Sequence, residues 1–163
     1  MNEEKLRTLK SNVEQNSIIV EQIVEQIVSK YDRELEDLLA DMKQALEKKN
    51  DLSNEELDRI TLKLPLLMYF ASSGLEILGI ECDTAKAQKS AIFNQKYLLA
   101  DGTIQDKTKT AENMTIQEAI IEVAFTRAYK QLRLKLDMAE HIFSGVKKVL
   151  SKRIQESNLS NMN

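Results

Sequence analysis

From Ile116 to Ile154 the chain returns an apolar residue at nearly every third or fourth position: Ile116, Ile120, Val123, Ala128, Leu132, Leu136, Ala139, Phe143, Val146, Leu150 and Ile154. No proline interrupts this run, and only Gly145 weakens it. Steps of three and four are the signature of one face of an α-helix. The spacing predicts a helix from Thr115 to about Ser157. A helix of that length spans about 60 Å at 1.5 Å per residue. A compact domain of this chain length has a radius of gyration near 15 Å, hence a diameter of about 40 Å. So long an apolar stripe must bend, project, or find its cover on another helix or another chain.

The same rhythm opens the sequence. Leu6, Leu9, Val13, Val20, Val24, Ile27, Tyr31, Leu35, Leu38, Met42 and Leu46 predict a first helix over about Glu3 to Lys49. Asn16 falls where the pattern expects an apolar residue, which marks either a register-setting polar position or a fraying end. Asn50-Asp51-Leu52 breaks this helix, and Ser53-Asn54-Glu55-Glu56 reads as a capping box that starts a second one. Pro65 predicts a kink or break near Leu64, because a proline lacks the backbone donor and clashes with the preceding turn. A third segment follows from about Gly74 to Ala100, with Gly79 a point of bending. Ala100 to Thr115 reads as the one long non-helical stretch: Asp101-Gly102 is a turn signal and the threonines disfavour helix. Thr115-Ile116-Gln117-Glu118 reads as a second capping box.

With 4 glycines and 1 proline in 163 residues, the chain lacks the turn residues that sheet-rich folds use. Leu, Ile, Val and Phe make up more than a quarter of it, enough apolar content to fold. The expected fold is all-α, an elongated helical bundle or coiled coil with long N- and C-terminal helices. Its expected division is an acidic amphipathic helix over 1–50 and a helical core over 51–163. The apolar stripe of the last helix, through Leu132, Leu136, Ala139, Phe143, Val146 and Leu150, is the expected interface of a homo-oligomer.

One His, one Cys and no Trp leave few groups for acid–base, nucleophilic or metal chemistry. Ser144-Gly145-Val146-Lys147 matches the Ser-x-x-Lys spacing of a nucleophile and its base, without the accompanying Ser-Asp-Asn and Lys-Thr-Gly elements. Asp137 and His141 share a helix face, but two ligands do not make a metal site. The glycines are isolated and form no phosphate-cradling loop. The expectation is a non-enzymatic protein with no cofactor and no metal. Cys82 is alone, so no intrachain disulfide forms, and a reducing, cytoplasmic setting is expected. The N-terminus has no signal-peptide pattern. The uncharged window Leu64–Leu75, between Lys63 and Glu76, is shorter than the roughly 20 residues of a membrane span and reads as a buried core segment.

The net charge of −3 conceals a gradient. Residues 1–60 carry 9 basic and 15 acidic side chains, whereas residues 121–163 carry 8 basic and 4 acidic. Lys86, Lys89, Phe93 and Lys96 follow one another at steps of three, four and three, which aligns them on one helix face. Tyr97 sits beside that face, and Lys107 and Lys109 follow in the expected loop. Ammonium groups neutralise phosphates and rings stack on bases, so this pattern suits single-stranded nucleic acid. The competing reading is a pair of core aromatics rimmed by solvated lysines.

Ile80-Glu81 leading into Ala85-Lys86-Ala87-Gln88-Lys89, then Lys96-Tyr97, then Gly102 before lysines, then a long helix ending in Lys147-Lys148 and Lys152-Arg153, resembles in layout the phage recombination mediators of the UvsY type. The resemblance runs from about Leu57 to Glu156, and the long acidic first helix departs from it. It implies a small, intracellular, helix-rich protein that oligomerises through C-terminal helices. Such a protein binds single-stranded DNA in the host cytoplasm and loads a recombinase onto DNA coated with a single-strand-binding protein. On the resemblance, Lys86, Lys89 and Lys96 map nearest to the family's DNA-contacting positions. A helical scaffolding protein of a virion, or a small adaptor or inhibitor that grips one protein through its acidic helix, are the alternatives.

Overall fold

The computed structural model describes residues 3–47 and 52–160. Every regular element among them is a helix: α1 Glu3–Glu47, α2 Asn54–Leu99, α3 Ile104–Met114 and α4 Ile116–Ser160. The fold is all-α, as the periodicity required. The break expected at Asn50-Asp51 lies outside the described residues, as do the side chains of Leu6, Leu9 and Leu46.

The start of α2 forms as its sequence prescribes. The Ser53 backbone N–H donates to Glu56 Oε2 at 2.7 Å, and the Glu56 N–H donates to Ser53 Oγ at 3.2 Å. The two reciprocal bonds satisfy donors that a helix start otherwise leaves open. They also hold the Glu56 carboxyl below its ordinary range, the backbone bond from Ser53 foremost.

Three expectations need correction. First, Pro65 does not divide the helix; α2 runs through it from Asn54 to Leu99. An interior proline costs about 3 kcal/mol. Leu57, Ile60, Leu64, Leu67 and Ala71 are buried along one side of the same stretch, and each buried leucine or isoleucine returns about 1.5–3 kcal/mol. Continuity wins on magnitude. Second, the stretch after Ala100 is not a loop but contains α3. Gly102, at φ 107, makes the turn, and Thr103 caps the helix. Thr103 Oγ1 accepts from the Asp106 N–H at 3.3 Å while Asp106 Oδ2 accepts from the Thr103 N–H at 3.2 Å. A threonine three residues before an acidic side chain outweighs the weak helix propensity of Thr108 and Thr110. Third, the box at Thr115 does not form. The Thr115 hydroxyl turns back to the carbonyls of Ala111 at 2.9 Å and Glu112 at 3.2 Å. It therefore closes α3 instead of opening α4, and Oε2 of Glu118 is buried without a hydrogen-bond partner.

The chain forms two compact units, one of residues 1–29 and 76–130, the other of residues 30–75 and 131–163. Of the helices, α1, α2 and α4 each contribute to both. In the first unit, Val24, Ile27 and Val28 of α1 join Leu78 and Ala85 of α2, Ala111 of α3 and Ala124 and Ala128 of α4 in the core. There α2 and α4 run antiparallel, with Gly79 beside the Tyr129 ring and Lys89 bonded to Glu122.

The second unit is a three-helix bundle. Leu35 and Met42 of α1, the buried side of α2, and Leu132, Leu136, Ala139 and Val146 of α4 fill it. The expected oligomer stripe is thus largely this chain's own core, with Phe143 and Leu150 half-buried at its margin. The neighbours of Gly74 show how closely α1 and α2 approach: a Cβ there would lie 2.5 Å from Cγ and 2.7 Å from Cβ of Tyr31. At the far end Arg153 donates to the Leu52 carbonyl at 2.6 Å and to Asn54 Oδ1 at 3.0 Å, tying α4 to the start of α2.

Asp32 is buried within this unit, at 1% exposure. Its Oδ2 accepts from Lys135 Nζ at 2.5 Å, and Lys135 also pairs with Glu36 at 3.1 Å. Burial alone would lower the Lys135 pKa. The hydrogen bonds and charges of Asp32 and Glu36 outweigh it and raise the pKa above the ordinary 10.5.

The packing predicts opposite effects at two glycines. Gly74→Ala should destabilise the protein by about 1–3 kcal/mol through overpacking. Gly145→Ala, where an added Cβ meets nothing within 4 Å, should stabilise it by about 0.5–1 kcal/mol; urea unfolding of both variants reads the difference in sign. Lys135→Met should cost about 3–5 kcal/mol by leaving Asp32 buried and unpaired, while Asp32→Val combined with Lys135→Met should recover most of that loss. A lysine pKa raised by folding adds stability at and below the ordinary value of 10.5, and this is lost as pH climbs through the folded pKa. The wild type should therefore lose stability above about pH 10.5 more steeply than the double variant does.

Candidate nucleic-acid interface

The residues singled out by the basic pattern belong to the first unit, on the C-terminal half of α2 and on α3. Helical spacing does place Lys86, Lys89, Phe93, Lys96 and Tyr97 within one sector of α2. Their surroundings differ. Lys86 is exposed, and Lys96 is half-buried in the last turn of α2, where a cation complements the helix dipole. Among the described residues neither makes an ion pair. Lys89, in contrast, is bonded to Glu122 of α4 at 2.8 Å with both side chains partly covered. Its charge is spent inside the unit, fastening α2 to α4.

The aromatic pair is neither core nor free surface. Phe93 and Tyr97 are half-buried and stack with ring centroids 6.3 Å apart and planes inclined by 23°. One turn of helix separates them, so one ring steadies the other and their outer portions reach solvent beside Lys86 and Lys96.

Lys107 and Lys109 are not on a loop. They lie on α3 two residues apart, which turns them about 200° from each other. Lys107 is half-buried and Lys109 exposed, so the structure does not bring the two onto one surface. The Asp106 carboxyl at the head of α3 is held below its ordinary range, by the Thr103 hydroxyl first and the Thr103 backbone second.

A second basic surface lies in the other unit and was not singled out as a site from sequence. Ser144, Lys147, Lys148, Ser151, Lys152 and Gln155 line a shallow open groove along α4. No carboxylate lines it. Lys147 lies over the Phe143 ring at 5.1 Å, and Lys152 makes only an exposed pair with Glu156 at 3.7 Å, which is worth little. The signal was present in Lys147-Lys148 and Lys152, and the helical spacing of positions 144, 147, 148, 151, 152 and 155 sets the serines among them.

The remaining chemistry is sparse. His141 and Asp137 are exposed on α4. No cluster of three or more His, Cys, Asp or Glu side chains able to hold a metal occurs among the described residues. Burial pushes the Cys82 thiol up, the Asp83 and Glu81 carboxylates push it the same way, and a hydrogen bond with Thr126 opposes them. By length and composition α2 contains a window apolar enough to cross a membrane, at a mean hydropathy of 1.2. No protein-family model matches the chain, and neither a curated protein nor a solved structure matches it.

The environment of Cys82 generates its own prediction. Its alkylation by iodoacetamide should be slow at neutral pH, with the midpoint of the pH–rate profile above 9.0. Asp83→Asn should move that midpoint down, because thiolate formation governs the rate. A wild-type midpoint at or below the ordinary thiol value would contradict the environment described.

Proposed function

We propose that this chain is a non-enzymatic, single-stranded-nucleic-acid-binding helical protein, and that it serves as a recombination mediator in the manner of the proteins its layout resembles. The observation that carries the reading is the stacked Phe93–Tyr97 pair with Lys86 and Lys96 on the same sector of α2. Two cations and two partly exposed rings at helical spacing are what a flexible phosphate backbone with unpaired bases requires. In this role the chain acts as a homo-oligomer, and its protein partners are a recombinase and a single-strand-binding protein.

Electrostatics favours a local and repeated contact. A chain of net charge −3 exerts no overall pull on a polyanion. A patch of two or three cations gains strength when several copies engage one strand, because each later contact forms at high effective concentration. In the other unit, the groove of Lys147, Lys148 and Lys152 is a separate run of ammonium groups able to hold phosphate, with the Ser144 and Ser151 hydroxyls as further donors.

A scaffolding role is the second reading, favoured by the row of exposed large apolar residues on α2. Binding to oligodeoxythymidylate separates the two. If Lys86 and Lys96 each neutralise one phosphate, Lys86→Ala with Lys96→Ala should flatten the log–log salt slope by about 1.4, at 0.7 per phosphate on single strands. Lys89→Ala should change the slope little, since Glu122 already holds that charge. Tyr97→Ala should weaken binding by about 1–3 kcal/mol without altering base preference. A wild-type protein that binds no oligonucleotide at low salt would leave the scaffolding reading in its place.

A further inference from the structure

Within the second unit, the side of α2 opposite its buried leucines is apolar too. Leu62, Leu66, Tyr69 and Phe70 recur at four, three and one residues and fall within about 100° of one another around the helix. All four are exposed, Leu62 at 79% and Tyr69 at 68%. The rings of Tyr69 and Phe70 already meet edge to face, with centroids 5.8 Å apart. A helix apolar on both sides has one side in its own core and one side still to cover.

We infer that this face is the self-association surface of the protein, occupied by the same face of a second copy with the two α2 helices antiparallel. Area is the first argument. Four large side chains exposed to this degree present on the order of 500 Å² of apolar surface, in the upper part of the roughly 300–600 Å² that the largest patch on a monomer spans, a size that marks interaction sites. Two copies packed face to face bury about 1,000 Å², the size at which a specific interface begins. Charge is the second. Asp58, Arg59 and Lys63 lie along the N-terminal end of the stripe. A parallel pair sets each of these against its own copy. An antiparallel pair carries them away from one another and leaves the leucines and rings to interdigitate. The same mixed charges oppose a lipid surface as the occupant, because Asp58 would have to enter the headgroup layer beside the stripe. This surface differs from the α4 stripe expected from sequence, which the chain fills with its own α1 and α2, and it stands whether or not the protein binds nucleic acid.

The test begins with light scattering of the full chain across a range of concentration. The wild type should show a mass that rises toward two chains or more. Leu66→Asp with Tyr69→Asp should hold it at one chain, with unchanged helical circular dichroism because both positions face outward. A wild type that stays at one chain, or a double variant that associates as the wild type does, overturns the proposal. Orientation is read separately in a Cys82→Ser background, with Leu62→Cys, Leu66→Cys and Phe70→Cys oxidised one at a time. In an antiparallel pair, a step of four residues moves like residues about 12 Å further apart, beyond the reach of a disulfide. Cross-linking should therefore peak at one of the three positions and fall at the others. Equal cross-linking at all three means a parallel pair and overturns the antiparallel arrangement. Flotation of the wild type with phosphatidylcholine vesicles, abolished by the aspartate pair, assigns the face to a membrane and overturns the proposal as well.

Discussion

Asp32 is the constraint on which the second unit's arrangement turns. A carboxylate shut away from water is tolerable only beside a cation, and the cation it has is Lys135, more than a hundred residues further along the chain. Apolar stripes specify that helices pack but not at which register, since a stripe slid by one turn meets much the same surface. The Asp32–Lys135 bond admits no such slide, because any other register strands a buried charge at a cost of several kcal/mol. With α1 and α4 fixed in this way, Tyr31 comes against Gly74 and Arg153 reaches the start of α2. The glycine allows the close approach and the arginine ties the opposite end.

The first unit obeys a different economy. Its core is rich in alanine, at positions 85, 100, 111, 124 and 128, and small side chains bury less apolar area per residue than the leucines of the second unit. Polar links carry more of the specification there: Lys89 to Glu122, the Thr103–Asp106 box, and the Thr115 hydroxyl that closes α3. The proposed nucleic-acid face is therefore built from residues with two kinds of work. Lys89 fastens α2 to α4 and the two rings are half-buried, while Lys86, Lys96 and the exposed portions of the rings remain for a ligand.

Helical periodicity disclosed the long helices because it is a local property of sequence, and the Ser53 box was readable for the same reason. What the sequence left open was always a question of partners. The stripe through Leu132, Leu136, Ala139 and Val146 announces a buried face without saying which chain buries it, and it proved to be this one. Lys89 looks like Lys86 and Lys96 on a helical wheel; only the arrival of Glu122 from α4 sets it apart. Thr115 and Thr103 both precede an acidic side chain by three residues. Yet Thr103 follows the Gly102 turn and caps forward, whereas Thr115 directly succeeds α3 and bonds backward. Pro65 shows the opposite case: of the kink or break that its local rule allows, the break does not occur, and leucines are buried on either side of it.

The functional account rests on one surface, the Lys86–Tyr97 sector of α2. Amide hydrogen exchange of the 163-residue chain with and without a short oligodeoxythymidylate tests that surface directly. The account predicts that added oligonucleotide slows exchange over residues 86–97, where bound bases and phosphates exclude water and damp the opening of α2, and leaves the buried turns around Asp32 and Lys135 unchanged. Saturating oligonucleotide with no slowing over 86–97, or slowing confined to the acidic stretch of α1, would contradict it.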